Sequence, residues 1–288
     1  MRRHRAGEGT KHKESPASVR GDRYTICFIG NSHLIALQQA LTAWPPILAN
    51  GAAIKLFLAP TPWLDFLDYA NGAIVGRNPQ LRARLKSFSD ETQIDIGRYD
   101  AFVLVGLRFL VRILGLCERI GTIEHRQWGD VDQLVSRTVF AETISAAFAN
   151  ADAIRIADMI RKRSKAPVLL CPVPYRAEQS LDDPQYKSLR RLHDAAYLES
   201  VLQDFHRAAE PIAAERGCEI LWQPPETVAL PGFTKFEYSR TAAAPDDPKA
   251  ATDRWHGNAE FGRLYMAAIL KRLDGLSGGR VLAREEAA

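Results

Sequence analysis

Short runs of apolar residues recur along the chain at wide intervals. The runs lie near 24–30, 53–58, 101–106, 167–171 and 218–222. Each is almost continuously apolar, which is typical of strands buried on both faces of a parallel sheet. Because segments of helical spacing separate most of the runs, the sequence predicts an α/β fold, with a doubly wound parallel sheet covered by helices on both faces.

The segments between the strands show apolar residues three or four positions apart, as expected for amphipathic helices. One begins directly after the first strand, and the last leads to a Gly that suits a helix end. The longest carries the fragment Ala149–Asp152, where a bend is expected. Two helices are predicted within 184–216, and the others over Leu34–Leu41, Gln80–Phe88, Phe109–Arg119, Val131–Lys165 and Leu264–Leu273.

Two stretches are irregular in pattern. Gly72 to Gly76 indicates a short strand or hairpin, and residues 226–252 read as a long loop. A long loop in a compact domain often lines a functional site. Its Thr234, Lys235 and Tyr238 are therefore candidate substrate contacts.

Basic residues are concentrated at the N-terminus. The first twenty residues contain six Lys or Arg and two Asp or Glu, which accounts for the whole formal net charge of +4. The remainder is balanced and lacks a basic patch interleaved with aromatic residues, so we expect no nucleic acid partner. No run of about 18 apolar residues occurs, so no membrane span is expected. We predict a disordered basic tail over 1–22, one domain over 23–275 and a C-terminal tail over 276–288.

The four cysteines, Cys27, Cys117, Cys171 and Cys218, lie far apart in apolar stretches. The basic start is not followed by the apolar region and cleavage site of a secretory signal. Both features indicate buried, reduced cysteines and a cytoplasmic location. The spacing fits no metal site, and no other cofactor motif occurs, so we expect neither metal nor cofactor.

The candidate chemistry begins where the first predicted strand ends. That strand stops at Gly30, Asn31 and Ser32 follow, and a helix begins near Leu34. A strand, a tight turn and a helix expose a Ser beside free N–H groups, which favour a developing negative charge. The alternative is that Ser32 only caps the helix, as Ser does in many proteins.

A second candidate block lies near the other end of the chain. Asp253 and His256 are three residues apart, directly before the last predicted helix. This spacing can place a carboxylate against an imidazole nitrogen, which orients a base for a Ser brought near by the fold. His33 follows Ser32 directly, but we expect it to point away from Ser32, which leaves His256 as the predicted base.

Together the two blocks resemble those of the SGNH (GDSL-type) hydrolase superfamily. The first block of that family is a strand followed by Gly-Asp/Asn-Ser, and its last block is Asp-x-x-His before the C-terminal helix. Here they occur as Gly30–Ser32 and Asp253–His256, at opposite ends of one domain. The resemblance implies a flavodoxin-like, three-layer α/β/α domain with strand order 2-1-3-4-5, and places Ser32 beside the switch point of the sheet.

The resemblance also implies roles for individual residues. Ser32 would be the nucleophile, His256 the general base and Asp253 the acid that orients it. The oxyanion and substrate-binding group would comprise the Ser32 N–H, Gly106, Arg108 and Asn258. Asn258 would in addition order the turn.

Arg108 departs from the family pattern. The family carries Gly-x-Asn-Asp at this place, and its Asn helps to bind the oxyanion, whereas this chain has Gly106-Leu107-Arg108. Arg108 either donates to an oxyanion or a substrate carboxylate, or it pairs with a nearby acid and serves structure only. For the family's second block, which supplies an oxyanion Gly, the candidates are Gly72 and Gly76.

The leading hypothesis is a serine esterase or acyl hydrolase that acts on a small acyl ester. The partner would be a small-molecule or glycan ester, with an O-acetylated carbohydrate as one candidate and an O-acyltransferase as a variant. The second hypothesis is a catalytically degenerate, ligand-binding protein, which the loss of Asn at Arg108 favours. The third is a nucleotide-binding protein, but the turn at Gly30 lacks the Gly-x-Gly-x-x-Gly spacing that a pyrophosphate site requires.

Overall fold

The computed structural model describes residues 23–46, 48–49, 52–110, 116–117, 119–122, 131–194 and 196–283. The predicted tail over 1–22 lies outside them, as do residues 284–288 of the predicted C-terminal tail and most of the helix predicted for Phe109–Arg119. The described strands are β1 (Thr25–Gly30), β2 (Ala53–Leu58), β3 (Leu67–Ala70), β4 (Ala73–Gly76), β5 (Gln93–Asp95), β6 (Ala101–Val105), β7 (Ile120–Thr122), β8 (Gln133–Val135), β9 (Val168–Cys171), β10 (Arg176–Ala177), β11 (Cys218–Ile220), β12 (Val228–Leu230) and β13 (Phe233–Thr234).

Helices occupy most of the segments between the central strands. The first begins four residues after β1, and the last follows the Asp253–His256 block directly. The described helices are α1 (Leu34–Ala43), α2 (Pro79–Ser89), α3 (Arg137–Ala149), α4 (Asp152–Arg161), α5 (Lys187–Asp194), α6 (Leu198–Ala214), α7 (Arg240–Ala243), α8 (Pro248–Ala251) and α9 (Ala259–Ser277).

The central sheet consists of the five apolar runs recognised in the sequence. Its strands are parallel in the order β11-β9-β6-β1-β2. Counted in chain order among themselves, they run 2-1-3-4-5, which confirms the predicted doubly wound, flavodoxin-like topology. Gly30 pairs with Leu58 on one side and Val105 on the other, so the loops that follow β1, β2 and β6 meet at one edge of the sheet.

Alternate residues of the strands bury into two separate cores, which makes the domain three-layered. On β1, Ile26 and Phe28 face α1 and α9, whereas Cys27 and Ile29 face α3, α4 and α6. Both faces of the sheet are therefore covered by helices, as the predicted three-layer α/β/α architecture requires.

The single helix predicted over Val131–Lys165 is wrong at its start and at its centre. Residues Gln133–Val135 form β8, which pairs in parallel with β7. The Ser136 side chain then accepts the Val139 N–H and caps α3. The expected bend near Ala149–Asp152 is a complete break between α3 and α4. Helical spacing in the sequence did not reveal β8, because its pairing partner lies outside the segment.

The long loop predicted over 226–252 contains short elements. β12 and β13 pair antiparallel, and α7 and α8 follow. The hairpin suggested by Gly72 to Gly76 is formed by β3 and β4, with Asn71 and Gly72 at positive φ in its turn. The C-terminal helix continues to Ser277, and beyond it Val281 is buried and Leu282 bridges to Leu48.

The close crossing of α1 and α9 fixes the geometry of this edge of the sheet. A Cβ built on Gly262 of α9 would overlap the backbone carbonyl of Ala36 in α1. Only Gly lets the two backbones approach so closely. Because α1 begins beside Ser32 and α9 begins just after His256, this crossing sets the distance between the two candidate blocks.

We expect Gly262→Ala to lower the free energy of unfolding by roughly 2 kcal/mol or more, because the added methyl group must push two packed backbones apart. Gly275→Ala in the same helix is the matched control, since no atom lies within 4 Å of its Cβ position. The control should instead gain up to about 1 kcal/mol of helix propensity. Urea denaturation measures the free energy of unfolding of both variants. Equal effects of the two substitutions would contradict a backbone-to-backbone contact at Gly262.

Candidate active site

Ser32 lies in the turn that joins β1 to α1. The Leu34 N–H donates to the Asn31 carbonyl and the Ile35 N–H to the Ser32 carbonyl, at 3.0 and 3.1 Å, so the helix starts immediately beyond Ser32. Its N-cap residue is His33, and no side chain caps it. The Ser32 hydroxyl does not cap the helix; it contacts the His256 ring, with 2.8 Å between Oγ and Nε2.

The Asp253–His256 block holds this ring from the other side. His256 Nδ1 lies 2.8 Å from Asp253 Oδ2 and 2.9 Å from Oδ1. The backbone N–H groups of Trp255 and His256 donate to the same Oδ1, at 3.0 and 3.2 Å. With Nδ1 donating to the carboxylate, Nε2 is the nitrogen that can accept the Ser32 proton. The three predicted residues therefore form one continuous hydrogen-bonded chain.

Asp253 is held in its charged form. Burial raises the pKa of this carboxyl group, but the hydrogen bonds from the His256 ring and from the two backbone N–H groups outweigh burial and lower the pKa to about 2. A hydrogen-bonded carboxylate stabilises the protonated form of an adjacent imidazole. Proton transfer from Ser32 to His256 would produce that form.

Arg240 also contacts Asp253 and was not predicted. Its Nη1 lies 3.5 Å from Asp253 Oδ2, and its Nη2 lies 3.6 Å from Asp247 Oδ2. Its backbone N–H donates to the His256 carbonyl at 2.8 Å. The sequence did indicate the segment, because Arg240 belongs to the long stretch 226–252, but it did not distinguish this residue. Thr234 of the same stretch is buried and bonds to Tyr175 and Gln223 instead.

His33 lies in the candidate site beside His256, a contact that the sequence did not predict. Its ring stacks on that of His256, with 4.8 Å between the centroids and 29° between the planes. Its Nδ1 is buried without a hydrogen-bond partner among the described residues. Burial, with a smaller contribution from His256, lowers the pKa of His33 to about 3, so the ring is neutral near pH 7. A neutral His33 packs against His256 without competing for its proton.

The oxyanion-binding residues expected from the resemblance are placed differently. Gly106 has φ of +74° and packs against Asn31, whose Oδ1 would lie 2.6 Å from an added Cβ. Its N–H, however, donates to the Cys171 carbonyl at 2.8 Å and is not available to an oxyanion. Asn258 caps α9 by accepting the Phe261 N–H, and its amide donates to the carbonyls of residues 237 and 239. It orders the turn, as expected, and lines the cleft next to it.

Gly72 and Gly76, the candidates for the family's second block, do not lie at the site either. Gly72 packs against Arg163, which follows α4, and Gly76 packs against Leu81 and Arg82 in α2. The expectation is wrong because β3 and β4 pair with each other and with β5, outside the central sheet. Among the described residues, the Ser32 N–H has no acceptor, and it is the one predicted oxyanion donor that the geometry leaves available.

Arg108 pairs with nearby acids and makes structural contacts, which is the second of the two alternatives that the sequence left open. Its Nη2 donates to the Thr61 carbonyl at 2.8 Å and lies 3.2 Å from Asp65 Oδ2. Its Nε lies 3.0 Å from Asp152 Oδ2, and both of these side chains are largely buried, at 14% and 6% exposed. Arg108 thus ties the loop after β2 to the start of α4, and it does not reach Ser32.

A cleft of about 870 Å³ opens directly beside Ser32 and His256. It extends along the outer side of α1 as far as Ala43, and its opposite wall is formed by α7 and by Ala244 and Asp247. The beginning of α9 closes it near His256. A substrate bound at Ser32 therefore has a preformed space on this side.

All four cysteine side chains are buried, and none of them forms a disulfide bond. No group of three or more His, Cys, Asp or Glu suited to a metal ion occurs among the described residues. In that part of the chain, no helix has the length and apolar character needed to cross a membrane.

We expect Arg108→Ala to lower the free energy of unfolding by roughly 2–4 kcal/mol, because Asp152 would remain buried after losing one of its two arginine partners. The matched control is Arg77→Ala, whose ion pair with Asp68 is exposed. An exposed pair is screened by solvent and contributes little to stability. Urea denaturation distinguishes the two, and an Arg108→Ala effect no larger than that of the control would contradict the structural role.

Comparison with known proteins gives only distant likenesses. No family model and no curated protein matches the chain. Among solved structures, an extracellular lipase from Streptomyces rimosus is 12% identical and overlaps 85% of this chain and 98% of its own, with a TM-score of 0.44. The C-terminal catalytic domain of a peptidoglycan O-acetyltransferase from Streptococcus pneumoniae is 13% identical, with 92% and 100% covered and a TM-score of 0.30. An acetyl xylan esterase from the rumen bacterium Butyrivibrio proteoclasticus is 10% identical, with 89% and 65% covered and a TM-score of 0.35.

At these identities and TM-scores the likenesses carry no argument about chemistry. The topology of the chain itself is more informative. Its parallel sheet has the order 2-1-3-4-5, the Gly-Asn-Ser block follows the first strand, and the Asp-x-x-His block precedes the last helix. The chain therefore has a doubly wound, three-layer α/β/α fold, in which the two blocks that resemble those of SGNH hydrolases lie at the ends of the domain where that resemblance predicts them.

Proposed function

We propose that the protein is a serine acyl hydrolase, with Ser32 as nucleophile, His256 as general base and Asp253 as the residue that orients the base. The observation that supports this most directly is the unbroken hydrogen-bonded chain from Ser32 Oγ through the His256 ring to Asp253. A nucleophile, a base within hydrogen-bond reach and a third group that orients the base are the elements of nucleophilic acyl transfer.

In the first step, Ser32 Oγ attacks the ester carbonyl carbon while its proton passes to His256 Nε2. The negative charge that develops on the carbonyl oxygen is met by the Ser32 N–H, at the start of α1, where the helix dipole is favourable. Collapse of the tetrahedral intermediate breaks the bond to the alcohol oxygen. His256 returns the proton to that oxygen, and the acyl group remains on Ser32.

In the second step, water attacks the acyl group. His256 accepts the proton of the water, the bond to Ser32 breaks, and the proton returns to Ser32 Oγ as the carboxylic acid leaves. An alcohol in place of water would give acyl transfer by the same sequence of steps. Asp253 stays ionised throughout and stabilises the imidazolium that forms in each step.

A binding protein without turnover is the second candidate. It is favoured by the commitment of Arg108 and of the Gly106 N–H to structural contacts, which leaves the Ser32 N–H without a second identified oxyanion donor. Loss of one such donor typically reduces kcat by about 10²–10³-fold. The protein would then bind an ester at the cleft and release it unchanged.

Steady-state hydrolysis of p-nitrophenyl acetate separates the two candidates. For the hydrolase, we expect Ser32→Ala and His256→Ala each to lower kcat by about 10⁶-fold. Asp253→Asn should lower it by about 10⁴-fold, because the imidazole loses its tautomer and its counter-charge. Ser87→Ala, an exposed Ser on α2, is the matched control and should leave kcat unchanged. Hydrolysis by the wild type at the rate of Ser32→Ala would reject the hydrolase.

A further inference from the structure

Most of the surface that lines the cleft beside Ser32 is apolar, although polar residues contribute to its walls. Ile35 is 38% exposed into it, three residues after the candidate nucleophile. An exposed Ile on the first turn of α1 is not needed by the core, which α1 contacts through Leu34 and Leu37. The other apolar lining residues are Ala36, Ala43, Ala243, Ala244, Gly257 and Ala259.

The charged groups in the cleft neutralise each other. Arg240 and Asp247 are its charged lining residues apart from the histidines, and they lie 3.6 Å apart as an ion pair. Arg240 also faces the Asp253 carboxylate at 3.5 Å. A charged substrate group would find no unpaired opposite charge among these lining residues, so the cleft favours an uncharged ligand.

The size of the cleft argues against a substrate whose only apolar part is an acetyl group. At about 870 Å³ the cleft falls in the range that encloses ligands of drug size. It follows α1 from Ser32 to Ala43, a helix about 15 Å long. An acetyl group would fill only its end at Ser32 and leave Ile35 and the alanines in water.

The lining also differs from what a sugar needs. Apart from the two histidines of the site, the described residues that line the cleft include no aromatic ring, and none of them offers a Trp, Tyr or Phe on which a pyranose could stack. Neutral polar groups are present on the α1 side, at Gln38, Gln39 and Thr42.

We propose that this cleft binds an uncharged, apolar acyl chain of medium length, so that the protein acts on medium-chain acyl esters in preference to acetyl esters. The inference rests on the proposed serine hydrolase. The acyl part is chosen over the alcohol part because it remains attached to Ser32 through both steps. Binding energy from the chain can then lower the barrier between the free enzyme and ester and the acylation transition state, which raises kcat/KM. Each methylene group transferred from water to such a surface contributes favourably.

The first experiment compares kcat/KM for p-nitrophenyl acetate and p-nitrophenyl octanoate. These share a leaving group, so the comparison isolates the acyl chain. We expect at least about a tenfold preference for octanoate. Hexyl acetate, measured against ethyl acetate by acid release, places the chain on the alcohol side and should show no comparable gain. A preference for the acetyl ester, for acetylated xylan, or for hexyl acetate would overturn the assignment.

The second experiment obstructs the cleft. Ala243 lies on α7 in the wall opposite α1, and Ala243→Trp should lower the octanoate-to-acetate ratio of kcat/KM by about tenfold or more. Ala141→Trp is the matched control, because Ala141 is an exposed alanine in the middle of α3 and outside the cleft. The control should leave the ratio and the rates unchanged. An undiminished ratio in Ala243→Trp would overturn the placement of the chain.

A third measurement separates failure of this inference from failure of the proposed hydrolase. Ser32→Ala should not turn esters over, yet its cleft is intact. Calorimetry should show that it binds p-nitrophenyl hexanoate several-fold more tightly than p-nitrophenyl acetate, and that Ala243→Trp in the same background removes the difference. Inactive wild type with this binding preference would reject the hydrolase and keep the apolar site. If the wild type is active but Ser32→Ala binds the two esters equally, the hydrolase would be kept and the apolar site rejected.

Discussion

The close contact between α1 and α9 is the constraint on which the candidate site depends. Ser32 and His256 come from opposite ends of the domain, and no local structure links them. α1 starts at one and α9 starts at the other, and the two helices cross where Gly262 meets the Ala36 carbonyl. A larger residue there would separate the helices and lengthen the Oγ to Nε2 distance, which is 2.8 Å. The parallel order of the sheet brings the two segments to one edge, and the helix crossing then sets their separation.

The polar groups around His256 are arranged so that its ring can accept a proton from the Ser32 hydroxyl. Asp253 accepts three hydrogen bonds from the block that contains His256, which keeps the carboxylate charged and fixes the imidazole ring. His33 packs against the ring but is kept neutral by burial. The only hydroxyl hydrogen-bonded to Nε2 is that of Ser32 among the described residues. Arg108, which the family pattern would place at the oxyanion, instead binds the loop after β2 to α4.

The central fold could be predicted from the sequence because its signals are local. Five apolar runs separated by helical spacing give the sheet, and two short blocks give the residues that meet at its edge. The features that the sequence did not reveal have a common physical cause, since each depends on contacts between distant segments of the chain. β8 is recognised only by its partner β7, the stacking of His33 on His256 joins distant segments, and the direction of Arg108 depends on Asp152 and Asp65. The cleft is likewise defined by α7, a four-residue helix inside a stretch that reads as a loop.

The central claim is that the hydrogen-bonded chain makes Ser32 an activated nucleophile. Reaction with a fluorophosphonate probe, followed by peptide mapping, tests this without knowledge of the natural substrate. The account predicts a covalent adduct on Ser32 that is absent in Ser32→Ala and in His256→Ala. Folded wild-type protein that forms no adduct at Ser32 would contradict it, and would show that the contact between Ser32 and His256 is structural.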